Sequence, residues 1–225
     1  MKEIQWRDFV ALIMSTISAL LSELEDPFQM FPLQEVAGIL GRSVDDAEDY
    51  IAQRSGWYGV SSKYRTVDEE HQLDVISLLI GSAFVLGQCA ITQSVAIATK
   101  IHDMSGQPDW LPHTKSDIMN TEAVIHKDFG LSEMILFDAV ANYFKHHRQW
   151  PVDWDLTRAQ NPQRRTIEIV QKLGLSPTSS ANLQTALHNL GFSATGIGSL
   201  ADNIQSWREH LAENLRKRLN RHGTF

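Results

Sequence analysis

The chain has 225 residues, a net charge of −7 and a single cysteine. That length suffices for one sizeable hydrophobic core, and one cysteine excludes both an internal disulfide framework and a cysteine-rich zinc site. The negative charge excludes broad, charge-driven binding to nucleic acid, because contacts with phosphate need Lys and Arg, but it leaves room for a local basic patch. The first residues carry early acids and no signal-like cleavage site, so we expect a cytoplasmic protein without a secretory signal.

Apolar residues at helical spacing indicate α-helices from the start of the chain. The first predicted helix spans residues 4–24. Two short helices follow, because Gly41 can stop a helix over 33–40 and Ser43 can cap another over 43–54.

The most apolar stretch predicts a long helix near residues 68–104. Its uncharged run from Val75 to Thr99 is long enough to span a bilayer, but its Gln, Ser and Thr side chains would be costly in lipid. We therefore expect a buried central helix and no membrane span. Gly81 and Gly87 inside it indicate close packing of a neighbouring helix, and Cys89 is expected to be a small buried hydrophobe.

Loops are predicted at 55–66 and 105–117, and a flexible Gly/Ser linker at 192–199. Four further helices are predicted near residues 132–149, capped by Ser132, and near 161–174, 181–190 and 200–221. The expected fold class is all-α, a bundle of about eight helices around the long central helix. We expect residues 1–155 to form the main domain and 156–225 a helical extension packed on it, with a single compact unit as the alternative.

The chain has no glycine-rich phosphate loop, no H-E-x-x-H and no G-x-S-x-G motif. Glu122 and His126, four residues apart, could share a helix face and form a metal site with His102, Asp103 and His113. Their spacing matches no known metal motif, so we predict neither a metal nor a cofactor.

The richest polar cluster lies in the predicted helix 132–149. Asp138, Asn142 and His146 are spaced by four residues and therefore line one helix face, with Tyr143 and Lys145 beside them. A histidine titrates near neutrality and can move protons at physiological pH. An amide next to it can orient it or donate a hydrogen bond to a phosphate.

The segment Ala141 to His146, A-N-Y-F-K-H, resembles the R-N-x-x-x-H helix signature of the HEPN superfamily, a group of small all-helical proteins. The resemblance implies a metal-independent ribonuclease of a bacterial defence or toxin–antitoxin system, acting on RNA as a homodimer, with His146 and Asn142 in the site. Ala141 stands where the family has its catalytic arginine, and Lys145 could supply only a point charge. A weak ribonuclease and a degenerate, non-catalytic member are both compatible with this departure.

The sequence leaves two other hypotheses about functional residues open. Arg216 and His222 have an R-x5-H spacing that fits a looser form of the same signature, although they also suit a solubilising helix end. Trp110, Trp150 and Trp154 could form a partner surface of a non-catalytic interaction or regulatory subunit, or could cover the ends of the bundle.

Overall fold

The computed structural model describes the backbone of residues 2–26, 29, 31–58, 67–192 and 196–222, and the side chains of 8–26, 29, 32–53, 70–192 and 196–222. Within these ranges the chain is an all-α bundle of eight helices, as predicted. The helices are α1 Lys2–Glu25, α2 Phe31–Tyr58, α3 Val67–Met104, α4 Lys115–Asn120, α5 Glu133–His146, α6 Asn161–Lys172, α7 Asn182–Asn189 and α8 Ile197–Arg221. The strands β1 Ile125–His126 and β2 Leu131–Ser132 form a two-residue antiparallel ladder before α5.

The long helix α3 is the centre of the bundle and packs against α1, α2, α4, α5, α7 and α8. Its two interior glycines lie where neighbouring helices come closest. A β-carbon at Gly81 would sit 2.2 Å from the ring of Phe144 on α5, and one at Gly87 would sit 3.0 Å from Ile204 on α8. The prediction of close helix packing at both glycines is confirmed.

One face of α3 is not covered by the described helices. Leu78 is 56% exposed, Leu86 is 36% exposed, and Cys89 is also exposed. The prediction that Cys89 is buried is therefore wrong, because composition indicated an apolar helix but not which of its faces would be covered. The segment Glu70–Met104 is long and apolar enough to cross a bilayer, and 44% of its most apolar 18-residue window is buried inside the bundle. The buried core helix of a helical bundle also has this length and composition.

The helix α2 runs without interruption through Gly41 and Ser43, so the prediction of two short helices is wrong. The hydroxyl of Ser43 donates a hydrogen bond to the carbonyl of Ile39 at 3.0 Å, one turn back, and so does not cap a helix. Apolar positions recur at helical spacing through the break: Leu33, Ala37, Leu40, Val44, Ala47 and Ile51. Packing of this face on the core outweighs the cost of about 1 kcal/mol for a glycine inside a helix. The predicted loop 55–66 is helical up to Tyr58, and 59–66 lie outside the described residues.

The last helix is fixed to the first. The guanidinium of Arg208, 1% exposed, donates to the carbonyl of Glu23 at 2.9 Å, in the last turn of α1. Arg216 forms two hydrogen bonds with the carboxylate of Glu25, at 2.5 and 2.8 Å. The buried residues on both sides of position 155 belong to one core. The division into two domains stays a prediction, and 193–195 of the predicted linker lie outside the described residues.

The segment between α3 and α5 contains a helix that the sequence did not predict. The α4 helix begins after Thr114, whose hydroxyl accepts a hydrogen bond from the Asp117 amide at 3.1 Å, within the predicted loop 105–117. Ser132 caps α5 as predicted, accepting from the Ile135 amide at 3.3 Å, and donates to the carbonyl of Met119 at 2.9 Å. These bonds fix α4 next to α5.

Candidate functional site

A polar network centred on Gln88 of α3 joins three helices. The Gln88 amide nitrogen donates to the carboxylate of Asp138 at 2.7 Å and to the side-chain oxygen of Asn142 at 3.0 Å. Its oxygen accepts from the ammonium of Lys145 at 2.5 Å. On α4, the ammonium of Lys115 lies 2.8 Å from the same Asp138 carboxylate. The network therefore ties α3, α4 and α5 together at one place.

Asn142 is engaged through both ends of its amide. Its oxygen accepts from Gln88, and its nitrogen donates to Asp138 at 3.2 Å. Both bonds are part-buried and hold the amide in one orientation, which leaves one N–H of its nitrogen as a further donor. Asp138 and Asn142 thus lie together as the sequence predicted, whereas Lys145 points to Gln88 and His146 is not part of this network.

Two adjacent cavities lie between α5 and α6. The first, of about 260 Å³, is lined by Lys115, Asp138, Asn142 and Arg165 among others. The second, of about 330 Å³, is lined by Asn142 and His146 among others. Asn142, Pro162 and Thr166 line both cavities, so the two form one groove, here called the α5–α6 groove.

The groove carries cationic side chains although the whole chain is acidic. Lys115 and Arg165 line its first half and His146 lines its second half. Asp138 is the carboxylate in it and is already paired with Lys115. The guanidinium of Arg165 donates to the hydroxyl of Ser116 at 3.2 Å, a neutral partner, and it forms no ion pair among the described residues.

His146 is the histidine of α5 that is available for chemistry. It is exposed, it is the last residue of α5, and its side chain lines the groove. The next residue, His147, donates a ring N–H to the carbonyl of Tyr143 at 3.0 Å and stacks on the Tyr143 ring at 4.7 Å. One histidine can serve as a proton donor or acceptor in this groove, and the second is held against the helix.

Ala141 is fully buried in the core of the bundle. Position 141, where the HEPN signature has arginine, therefore faces away from the groove that holds His146. A guanidinium is instead contributed to the groove by Arg165 of α6. The sequence did not predict Gln88, Lys115 or Arg165 as site residues. Of these three residues, only Gln88 could have been noticed in the sequence, because it is a glutamine inside an uncharged apolar run.

An aromatic cluster closes the end of the groove. Trp150 and Trp154 are 8% and 6% exposed, with their rings 5.5 Å apart, and both contact Tyr143. The Tyr143 hydroxyl accepts from Asn182 at 2.9 Å, and burial raises the pKa of Tyr143. Of the two interpretations of Trp150 and Trp154, the structure supports the covering of the bundle and not an exposed partner surface, because both rings are buried against Tyr143 of α5.

The second pair suggested by the sequence does not form a site. Arg216 pairs with Glu25, whereas the ring of His222 stacks on Trp110 at 4.2 Å. Arg218 donates to the carbonyl of Trp110, so this end of α8 holds the loop after α3 in place. These contacts are structural.

The histidines from the last turn of α3 to β1 do not form a metal site in the described part of the chain. The rings of His102 and His113 stack at 5.3 Å. Glu122 lies in a turn with φ +54° and His126 in β1, so the two do not share a helix face as expected. No three His, Cys, Asp or Glu residues gather where they could hold a metal ion, within the described ranges.

No protein-family model matches the chain, and no curated protein and no solved structure matches it significantly. The resemblance to the HEPN superfamily therefore depends on Asn142 and His146 alone.

Proposed function

We propose that the chain is a HEPN-like protein that binds RNA in the α5–α6 groove without cleaving it. The observation that carries this proposal is the presence of Lys115, Arg165 and His146 in one groove of an otherwise acidic chain. Cationic side chains that follow a groove are what a phosphate backbone requires. A place in a bacterial defence or toxin–antitoxin system is part of this proposal and comes from the resemblance.

We expect no cleavage because the groove lacks part of the set of proton-transfer groups that the reaction needs. Cleavage of RNA without a metal needs a base for the 2′-hydroxyl, an acid for the leaving 5′-oxygen, and a cation for the charge that develops on phosphorus. Among the side chains of the groove, His146 is an exposed proton-transfer group and Arg165 supplies one guanidinium. The carboxylate of Asp138 is paired with Lys115 and accepts from Gln88, so it is not free to act as a base. Asn142 is held by Gln88 and Asp138. A second proton-transfer group is needed before the bond can break efficiently.

Binding is tested by fluorescence anisotropy with a labelled single-stranded RNA oligonucleotide in buffer containing EDTA. Arg165→Ala should weaken binding by up to about tenfold and lower the slope of log affinity against log salt by about 0.7, because one phosphate contact is lost. Arg164→Ala is the matched control, since its guanidinium pairs with Glu168 at 3.1 Å and does not line the groove. Equal effects of the two variants would contradict binding in this groove.

Cleavage is tested with the same RNA by gel electrophoresis, again in EDTA. We expect intact RNA with the wild-type protein. If the RNA is cut and His146→Ala abolishes the cutting while the fold is retained, the non-catalytic part of the proposal is wrong and the protein is a ribonuclease. Intact RNA together with no binding would reject the whole proposal.

The second candidate function is that of an interaction or regulatory subunit. It is supported by exposed apolar side chains on α1 and α2, with Leu12 64% exposed and Ile39 50% exposed. Co-purification of one stoichiometric protein, lost in Leu12→Asp or Ile39→Asp, would favour this function over RNA binding.

A further inference from the structure

The uncovered face of α3 is a continuous uncharged stripe. Its exposed and half-exposed residues follow one another every three or four positions, here called the α3 stripe: Leu78, Ser82, Leu86, Cys89, Thr92 and Ala96. At 1.5 Å per residue it is about 27 Å long. Leu78 and Leu86 are its exposed large apolar side chains, and such side chains on a helix that is otherwise packed indicate a surface that another molecule covers.

The two ends of the stripe carry opposite charges. Asp74 precedes it by one turn and Lys100 follows it by one turn, and both are exposed on the same side of α3. Neither takes part in an ion pair among the described residues. A partner that covers the stripe is therefore expected to offer a cation at the first end and an anion at the second.

A second copy of α3, running in the opposite direction, meets this requirement. With the two-fold axis at position 87, halfway between Asp74 and Lys100, each Asp74 faces Lys100 of the other copy. The same register places the large side chain of Leu78 opposite the small Ala96, so that the helices can approach closely. A parallel pair would instead place like charges opposite each other at both ends.

We propose that the α3 stripe is the interface of a symmetric homodimer in which two α3 helices pack antiparallel. The hydroxyl of Ser82 donates to the carbonyl of Leu78 at 2.7 Å within the helix, but the exposed hydroxyl of Thr92 suits a helix–helix contact better than a lipid. The proposal is independent of RNA binding, because the residues that define the α5–α6 groove are not part of the stripe.

The first test uses Cys89, the single cysteine of the chain, as a reporter. In the proposed register the two Cys89 residues are offset by about 6 Å along helices about 8–10 Å apart. A short bismaleimide should therefore link two chains of wild-type protein, and Cys89→Ser should remove the product. Sedimentation velocity over a micromolar concentration series should show a dimer for both proteins.

The second test distinguishes antiparallel from parallel packing. Two proteins are prepared in the Cys89→Ser background, one with Leu78→Cys and one with Ala96→Cys. Identical positions lie about 27 Å apart along the dimer, so neither protein alone should be linked by the short reagent. A mixture of the two should give a linked dimer. Linking of either protein alone would indicate parallel packing and overturn the proposed register.

The third test reverses the end charges. Asp74→Lys and Lys100→Glu should each weaken the dimer about tenfold at low salt, because each places like charges together at both ends. The double reversal should restore dimerisation, since opposite charges face each other again. Both substituted positions are exposed, and circular dichroism checks that each of the three variants retains the fold.

A protein that stays monomeric at every concentration and gives no linked product overturns the proposal. So does a monomer that sediments with phosphatidylcholine vesicles and loses this property in Leu78→Lys, because a lipid surface would then be what covers the stripe. Double charge reversal that fails to restore a dimer weakened by the single reversals also rejects the antiparallel arrangement.

Discussion

Replacing Gly81 by alanine is expected to destabilise the fold although alanine is the better helix former. The new β-carbon would lie 2.2, 2.4 and 2.5 Å from Cδ2, Cε2 and Cγ of Phe144. Carbon atoms pack at about 3.5–4.0 Å, so the ring must retreat by more than about 1 Å. Because Cγ is one bond from the β-carbon of Phe144, the ring cannot simply swing aside, and α5 itself has to move.

The magnitude is a balance of two effects. Alanine in place of a helix-interior glycine stabilises by about 1 kcal/mol, and overpacking of this kind costs about 1–3 kcal/mol. Since the clash here involves an atom close to the backbone, we take the upper value and expect a net loss of about 2 kcal/mol. For a chain of this size that corresponds to a decrease in Tm of about 4–8 °C. Urea denaturation followed by circular dichroism measures the free energy of unfolding.

Two variants serve as controls. At Gly87 a β-carbon meets only terminal methyl groups, at 3.0 Å on Ile204 and 3.2 Å on Leu200, which can yield. Gly87→Ala should therefore change stability by less than about 1 kcal/mol. In a Phe144→Ala background the clash is absent, and Gly81→Ala should then stabilise by up to about 1 kcal/mol. An equal cost of Gly81→Ala with and without the Phe144 ring would refute the reasoning.

Three further predictions concern buried and paired polar groups. Gln88→Leu should lower the free energy of unfolding, measured by urea denaturation, by about 1–3 kcal/mol, because Asn142 loses a half-buried hydrogen bond. An unchanged midpoint of unfolding would show that the network does not stabilise the fold. The hydrogen bonds from the guanidinium of Arg216 hold the pKa of Glu25 below its ordinary value, so Glu25→Gln should be less stable than the wild type at pH 7. The loss should be no more than about 1 kcal/mol, because both side chains are over a third exposed. That difference should be complete above about pH 4.3 and lost as the pH falls through the lower pKa of the folded state, and a constant difference down to pH 2 would contradict the pairing. Arg208→Met should have a free energy of unfolding within about 1 kcal/mol of the wild type, because an apolar chain of similar length replaces a buried cation. Arg208→Ala should lower the free energy of unfolding by about 3 kcal/mol, because it leaves a cavity. A larger loss in Arg208→Met than in Arg208→Ala would be evidence that the charge itself stabilises the fold.

Local patterns predicted the helices whose ends carry strong signals. The uncharged run over α3, and the serine that precedes α5, each identified an element because the physical cause lies within a few residues of sequence. Gly81 also gave a correct prediction of close packing, since a glycine that costs about 1 kcal/mol in a helix is retained where a neighbour needs the space. The partner ring, on Phe144, could not be read from local sequence.

The failed predictions depend on contacts between distant parts of the chain. Gly41 and Ser43 have the composition of a helix break, but burial of the α2 face on the core decides that the helix continues. Cys89 lies in an apolar helix whose outer face is uncovered, which periodicity alone does not reveal. Arg165 joins Asn142 in the α5–α6 groove only because α6 folds back along α5.

The pairing of α1 with α8 has a consequence for how the chain acquires its fold during synthesis. Arg208 and Glu23 are 185 residues apart, so α1 emerges from the ribosome long before the helix that completes its packing. At about 5–20 residues per second the delay is roughly 10–40 s. During this time the apolar face of α1, which includes Ile17, Leu21 and Leu24, can be covered by α3 but not by α8. Until α8 is synthesised, this face of α1 therefore stays partly open to chaperones and proteases.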